Sequence, residues 1–265
     1  MTSVSIVIVT YNAKVCAAAC LRSLSEAPPA IPHDITIVDN ASTDGLLQMV
    51  EADWPTVNRV DMGRNAGFAA ANNAGIRAST GTCILLLNSD TIVRAGAIDT
   101  LVAALDADPD VAIAGPRIVD RDGAPELSFG RMISPGAEVR QKVLGRRTKW
   151  IARETRREQF VDWVSGACLL VRRPDAEAVG LLDERYFLYT EDVDFCAAIR
   201  ARGRRVLFTP RAEIVHLRGQ SRATAPQAAS AAYRRSHLAF YEKHHPAWAP
   251  WLRLYLRLKR ELPPT

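Results

Sequence analysis

Cysteine is scarce in this chain and forms no C-x-x-C pair. The five thiols, Cys16, Cys20, Cys83, Cys168 and Cys196, are odd in number, and three lie in apolar runs. That pattern argues against a disulfide framework or a zinc site and fits reduced, buried thiols of a cytoplasmic protein. Long apolar runs are also missing. No stretch approaches the roughly 20 residues that span a bilayer. The N-terminal "VSIVIV" has no basic lead-in and is too short for a signal core. Two phosphate-binding signatures are absent as well. Without G-x-G-x-x-G a Rossmann dinucleotide site is disfavoured, and without G-x-x-x-x-G-K-[ST] a P-loop is excluded.

What is present is a chain of 265 residues with 48% hydrophobic content, enough for a sizeable core and too much for disorder. The length suits one α/β unit with additions. The net charge of +5 is unevenly placed. Residues 1–130 carry −7, residues 131–160 carry +6, residues 161–199 carry −5 and residues 200–265 carry +11. The basic character thus belongs to a middle segment and a tail. Nucleic acid, an anionic membrane surface and a diphosphate are the partners that such patches fit.

Strand-like and helix-like runs alternate over the first 120 residues. Apolar runs at 4–9, 35–39, 57–62, 83–88 and 111–119 are separated by helical patterns at 14–25, 43–51, 67–78 and 95–106. Such alternation predicts crossover connections and a mostly parallel sheet with helices on both faces. Residues 120–160 lose periodicity and read as a long, basic, partly helical loop. Order returns with "FVDWVSGACLLVRR", a helix over 191–202, short strands "RVLFTP" and "EIVHL", and a helical tail broken at Pro246 and Pro250.

In an open parallel sheet, ligands bind beyond the carboxyl ends of the strands. Here those ends are polar four times over: Thr10-Tyr11-Asn12, Asp39-Asn40-Ala41-Ser42, Gly63-Arg64-Asn65-Ala66-Gly67 and Asn88-Ser89-Asp90. One polar strand end is a turn, whereas four neighbouring ones predict a polar ligand site. Gly63 and Gly67 also serve a tight turn that opens the helix at 67–78.

The segments "VSIVIVTYNA", "IVDNASTDG", "GRNAGFAAANNAGI", "LLLNSDTIV", "SGACLLVRR" and "FLYTEDVDFCAAIRARGRRVLFTPRAEIVHLRGQS" resemble the family 2 glycosyltransferases, which have the GT-A fold. The likeness is to the rhamnosyltransferase-like branch that builds bacterial surface polysaccharides. It implies inverting transfer of a sugar, such as the deoxyhexose L-rhamnose, from a dTDP- or UDP-sugar to a hydroxyl of a glycan or polyprenyl-diphosphate-linked acceptor. The family is usually assisted by Mg²⁺ or Mn²⁺. By the same resemblance Thr10, Tyr11 and Asn12 line the base, Asp39 accepts from it, and Asn40, Arg64, Asn65, Asn88 and Ser89 complete the nucleotide site. Asp90 is the surviving acid of the metal motif, whose first acid is replaced by Asn88, and His216 is the second metal ligand. Arg218, Ser221 and Gly166 border the diphosphate and donor sugar. Asp192 is the general base, and Trp163, Glu191 and Asp194 face the acceptor.

Blander readings stand beside some of these. Glu191, Asp192 and Asp194 suit a helix start capped by Thr190, since negative charge is favoured there. Asp194 also fits as a holder of that helix start, and Trp163 fits equally as a core residue. The expected division is a domain over 1–225, with a nucleotide-binding half at 1–120 and an acceptor-binding half at 121–225, then a basic helical extension at 226–265. In that extension Trp251, Leu254, Tyr255, Leu258 and Leu262 share one helical face, with Arg253, Arg257 and Arg260 opposite. This fits a membrane surface, and equally a helix docked on its own domain or at a homodimer interface. The expectation is a cytoplasmic protein, peripheral on the inner face of the membrane, with no nucleic-acid partner. A nucleotidyltransferase and a catalytically impaired nucleotide-sugar-binding module are the alternatives. The first needs a glycine-rich loop after strand one, which "TYNAKVCA" lacks.

Overall fold

A computed structural model describes residues 2–136, 153–217 and 226–259. The first part alternates as expected: β1 (Val4–Thr10), α1 (Lys14–Glu26), β2 (His33–Asp39), α2 (Leu46–Asp53), β3 (Asn58–Asp61), α3 (Phe68–Arg77) and β4 (Cys83–Asn88). A three-residue strand, β5 (Thr91–Val93), follows the polar end of β4 and leads to α4 (Ala97–Asp106) and β6 (Val111–Val119). Then come β7 (Phe129–Gly130), β8 (Gln159–Val161), β9 (Trp163–Val164), β10 (Cys168–Arg172), α5 (Arg173–Ala178), α6 (Glu191–Ala201), β11 (Arg205–His216), α7 (Pro226–His244) and α8 (Ala249–Leu258).

The main sheet runs β3-β2-β1-β4-β10-β6-β11-β5, with β8 also on β11. β1 to β4 are mutually parallel, and β6 is parallel to β11. β10 is the exception in the centre, antiparallel to both β4 and β6. The sheet is therefore mostly parallel in direction, with reversed strands where the second half of the chain joins the first. β11 differs from the two short strands expected. It is one strand that keeps pairing with β6 through a register shift between Thr209 and Glu213. Pro210, which has no N–H to give to a ladder, falls in that shift.

Both faces of the sheet are covered. Cys20, Leu21 and Leu24 of α1 and Leu101 and Leu105 of α4 pack with Ile6, Ile8, Leu85 and Leu87 on one face. Ile76 of α3 and Phe195 and Ile199 of α6 pack with Val7, Ile84 and Leu86 on the other. A fully buried side chain of this size contributes about 1.5–3 kcal/mol. All five cysteines are free and buried, and burial pushes the thiols of Cys20 and Cys196 up to about 12. A third cluster ties α7 and α8 to the domain, through Tyr186, Val193, Phe240, Tyr241 and Ala249.

Candidate active site

The carboxyl ends of β1, β2 and β4 meet one rim because the three strands are paired in parallel register. Tyr11 and Asn12 are exposed there, while Thr10 is buried beneath them. Asn12 has a positive φ of 48° and knits two strand ends together. Its N–H donates to Ser42 Oγ, and its Oδ1 accepts from the Thr43 N–H, each at 2.8 Å. Asp39 is buried and its Oδ1 accepts from the Ser42 N–H at 3.0 Å.

Asn40 and Asn65, both expected at the nucleotide, organise the loop before α3. Asn40 Nδ2 donates to Asn65 Oδ1 at 2.9 Å, Asn40 Oδ1 accepts from Ala66 N–H at 2.8 Å, and Asn65 Oδ1 accepts from Gly67 N–H at 3.1 Å. Asn40 is buried, whereas Arg64 and Asn65 are exposed on the rim. Gly67 has φ +90°, and a Cβ there would lie 2.6 Å from the carbonyl oxygen of Phe187. That close approach seats the 183–190 segment over the start of α3, where the Phe68 N–H donates to Phe187 O at 2.7 Å.

β4 ends in Asn88-Ser89-Asp90, and each side of this turn holds a different group. On one side the Asn88 N–H donates to Ala167 O at 3.0 Å, which ties the 165–167 turn to the strand end. The neighbouring Gly166 N–H donates to Asp192 Oδ2 at 2.8 Å, and Val193 N–H donates to Asp192 Oδ1 at 2.8 Å. A Cβ on Gly166 would sit 3.2 Å from Asp192 Cβ, so the backbone comes this near because the residue is glycine. Burial raises the Asp192 pKa above the ordinary carboxylate value, although the two N–H donors oppose the shift. Tyr189 and Thr190, just before α6, have φ of 70° and 73°. Thr190 occupies the cap position but its side chain makes no capping bond. Two successive non-glycine residues in the left-handed region hold strain at the base of this helix.

On the other side of the turn, β5 pairs antiparallel with the end of β11, with His216 opposite Thr91. The Leu217 N–H donates to Asp90 O at 2.8 Å. Together these contacts bring His216 Nε2 to 3.1 Å from Asp90 Oδ1. The ring's other nitrogen, Nδ1, lies 3.4 Å from Glu126 Oε2. The sequence reading missed Glu126, which sits in the segment where periodicity fails.

The three acids of "TEDVDF" separate. Glu191 is 5% exposed, and its Oε2 has no hydrogen-bond partner among the described residues. Burial, and then the Asp192 charge, raise its pKa well above the ordinary value. Asp194, expected toward the acceptor, departs most. It is 2% exposed and accepts from Tyr186 OH at 3.2 Å and from Lys243 Nζ at 2.8 Å, and it bonds His244 Nε2 at 2.6 Å. It therefore holds α7 onto the start of α6. Trp163 lies at the edge of the core. It packs against two core clusters while its Nε1–H donates to Arg131 O at 2.9 Å. Arg218 and Ser221 lie outside the described residues.

Among the described residues no cluster of three or more His, Cys, Asp or Glu side chains is placed to hold an ion. The donor set at β4 does fit a hard cation in part. Asp90 Oδ1 and His216 Nε2 are hydrogen-bonded at 3.1 Å, and this carboxylate and imidazole are the side chains that would hold such a cation. A bound diphosphate would supply further oxygen ligands.

The sequence model of Glycosyl transferase family 2 matches residues 5–175, more than half of the chain. The chain belongs to glycosyl transferase family 2. This glycosyltransferase is 34% identical over 263 residues to the N-acetylglucosaminyl-diphospho-decaprenol L-rhamnosyltransferase of Mycobacterium tuberculosis, covering 92% of this chain and 85% of that one. It is 28% identical over 219 residues to a dTDP-rhamnosyl transferase of Shigella flexneri, covering 80% of this chain and 68% of the relative. A mannosyltransferase from Pyrobaculum calidifontis, solved with GDP-Man and Mn²⁺, has a similar fold. Its TM-score is 0.63 at 20% identity, over 94% of this chain and 68% of that one. The glycosyltransferase fold is thus the GT-A fold that the sequence motifs implied.

Proposed function

We propose that this glycosyltransferase moves L-rhamnose from dTDP-L-rhamnose to a hydroxyl of a polyprenyl-diphosphate-linked N-acetylglucosamine, with inversion at the anomeric carbon. The observation that carries the reading is the double use of the β4 end. Through Ala167 and Gly166 it is tied to the Asp192 carboxylate, and through Asp90 it is tied to His216. A general base and an anchor for the leaving diphosphate thus share one rim. The choice of sugar and acceptor rests on the 34% identity with the mycobacterial rhamnosyltransferase.

Asp192 takes the proton of the acceptor hydroxyl as that oxygen attacks the anomeric carbon. The bond from that carbon to the diphosphate oxygen breaks, and the nucleoside diphosphate leaves with its electron pair. The Gly166 and Val193 N–H groups fix the carboxylate's orientation, and its raised pKa brings it closer to neutral pH, where a base works best. Asp39, Tyr11, Asn12 and Arg64 border the nucleotide. Asp90 and His216 would hold a divalent cation, which when bound would neutralise charge on the diphosphate. Asn88, an amide where the family motif has an acid, brings no charge and orients instead.

The tail serves the lipid end of the acceptor. No described helix is long and apolar enough to cross a membrane. α8 buries Ala249 and Leu256 and turns Trp251, Leu254, Tyr255 and Leu258 outward, Trp251 being 66% exposed. Arg257 and Lys259 lie at the edges of that face, Lys259 over the Tyr255 ring, while Arg253 lies opposite and pairs with Glu242; an anionic membrane surface is the partner that this chemistry fits.

The test is transfer by the purified protein, read by mass spectrometry. dTDP-L-rhamnose and a synthetic lipid-diphosphate N-acetylglucosamine are supplied with Mg²⁺, Mn²⁺ or chelator. A product heavier by one deoxyhexose supports the reading. Product from UDP-sugars alone, or none from any donor, rejects it.

A further inference from the structure

The turn that launches α6 is strained, and α7 grips it from both sides. Tyr189 and Thr190 take left-handed φ values of 70° and 73° in succession, and Asp192 follows just after them. Non-glycine residues keep such a conformation only where their surroundings fix it. Here the surroundings are one face of α7, on which Tyr233, Ser236, Phe240, Lys243 and His244 recur at helical spacing. Before the turn, Ser236 Oγ donates to Leu188 O and Lys243 Nζ donates to Asp183 Oδ2, each at 2.8 Å. After it, Lys243 Nζ and His244 Nε2 meet the two oxygens of Asp194 at 2.8 Å and 2.6 Å. At the turn itself the Tyr233 ring stands edge-on to that of Tyr189, with centroids 6.1 Å apart. Tyr186 OH crosses from the first flank to Asp194 Oδ1 at 3.2 Å. Tyr186, Asp194, Ser236 and Phe240 are all buried. These contacts enclose residues 190–193, Asp192 among them.

We propose that Ser236 and His244 of α7 are positioning residues for the base. By pinning Leu188 and Asp194 they hold the Tyr189–Thr190 turn, and so keep the Asp192 carboxylate on the Gly166 N–H. The inference rests on the reading of Asp192 as the general base. Its physical content is orientation. Asp194 belongs to the first turn of α6, where its N–H donates to Thr190 O at 2.9 Å. Once Asp194 is released from α7, the strained turn relaxes and that first turn moves with it, Asp192 included. The 2.8 Å bond from Gly166 is then lost. A base displaced by about 1 Å from the acceptor hydroxyl loses about 10²-fold in rate. The nucleotide lies at the ends of β1 and β2, which this movement does not reach.

The experiment compares wild type with Ser236→Ala, His244→Ala and His244→Gln, each alone and combined with Asp192→Asn. Gln places an N–H close to where His244 Nε2 stands. Transfer from dTDP-L-rhamnose to the synthetic lipid-diphosphate N-acetylglucosamine gives kcat and KM, and calorimetry gives dTDP affinity. Amide hydrogen exchange at Gly166 in the dTDP complex reports the bond to Asp192 and needs no sugar donor. The expected result is a kcat lowered about 10- to 100-fold in His244→Ala, less in Ser236→Ala, and largely restored in His244→Gln. Donor KM and dTDP affinity should stay unchanged, and Gly166 exchange should quicken in the same order. Combined with Asp192→Asn, the same changes should lower kcat no further, because the group they position has gone. Wild-type kcat and exchange in both His244→Ala and Ser236→Ala overturn the proposal. So does an equal fold-loss in the Asp192→Asn background, or a lower kcat without faster exchange at Gly166, either of which assigns α7 to the fold alone. If His244→Ala does not fold, Ser236→Ala decides by the same criteria. Near wild-type turnover in Asp192→Asn alone removes the base reading, and this inference with it.

Discussion

The Gly166 N–H and the Asp192 carboxylate meet at 2.8 Å, although 26 residues separate them in the chain. The bond sets the carboxylate of α6 at the end of β4, because the residue after Gly166 is hydrogen-bonded to Asn88. A residue expected at the donor sugar is thus also the group that aims the proposed base.

Asp192→Asn should keep the fold and the affinity for dTDP while turnover falls by roughly 10² or more, the loss expected for a general base. Gly166→Ala should lower turnover with little change in dTDP affinity, because its Cβ would press on Asp192 Cβ at 3.2 Å. Steady-state transfer rates and calorimetry with dTDP check both. Near wild-type turnover in Asp192→Asn would remove the role.

The pH profile of transfer should rise through a pKa above the ordinary aspartate value of about 3.9, because burial raises that of Asp192. The neighbouring Glu191 is raised as well, by burial first and Asp192 second. An acid with a raised folded pKa holds its proton more tightly in the native state. It therefore lowers stability as pH climbs from the unfolded to the folded pKa. Glu191→Gln should then gain in melting temperature relative to wild type as thermal denaturation is repeated from about pH 4 to about pH 8. A relative melting temperature that falls along that series contradicts the assignment.

Lys243 bridges Asp183 and Asp194, each at 2.8 Å, and joins the tail to the domain. Lys243→Met should destabilise by about 1–3 kcal/mol, below the range for a fully buried pair because Lys243 is partly exposed. The Asp183 pKa is lowered by its bonds to Lys243 and Arg185 despite burial, and that of Lys243 is raised by Asp183 and Asp194 despite burial. The Asp183 contribution is present above the unfolded carboxylate value of about 3.9 and is lost as pH falls through its lower folded value. The Lys243 contribution is present below about 10.4 and is lost as pH rises through its higher folded value. Chemical denaturation of both proteins across pH should show the two curves converging at each extreme.

Trp251→Glu together with Leu254→Glu should abolish sedimentation with anionic vesicles and leave the circular dichroism unchanged, since both side chains point outward. Binding of the wild type should weaken with salt, as each basic residue near the surface contributes about 1 kcal/mol. Equal sedimentation of the two proteins would leave the outward face to another partner, such as a second copy of the chain.

Local periodicity gave the alternation of the first half of this fold, apart from the short β5. Short continuous apolar runs such as "CILLLN", set between helical patterns, read as buried strands joined by parallel crossovers, which brings their polar ends to one rim. The roles of Asp90, Asp192 and His216 came from the family resemblance and not from periodicity. Tertiary structure decided what no local pattern carries. It set β10 antiparallel between β4 and β6, pairings that join residues far apart in the chain. It buried Asp194 under α7, turned Asn40 to bracing a loop, and brought Glu126 to His216 from a segment with no periodicity at all. A sequence pattern records which face of an element is buried, because burial repeats with the period of the element. Which distant partner a polar side chain meets depends on how those elements are ordered and registered, and that is fixed only when the whole sheet closes.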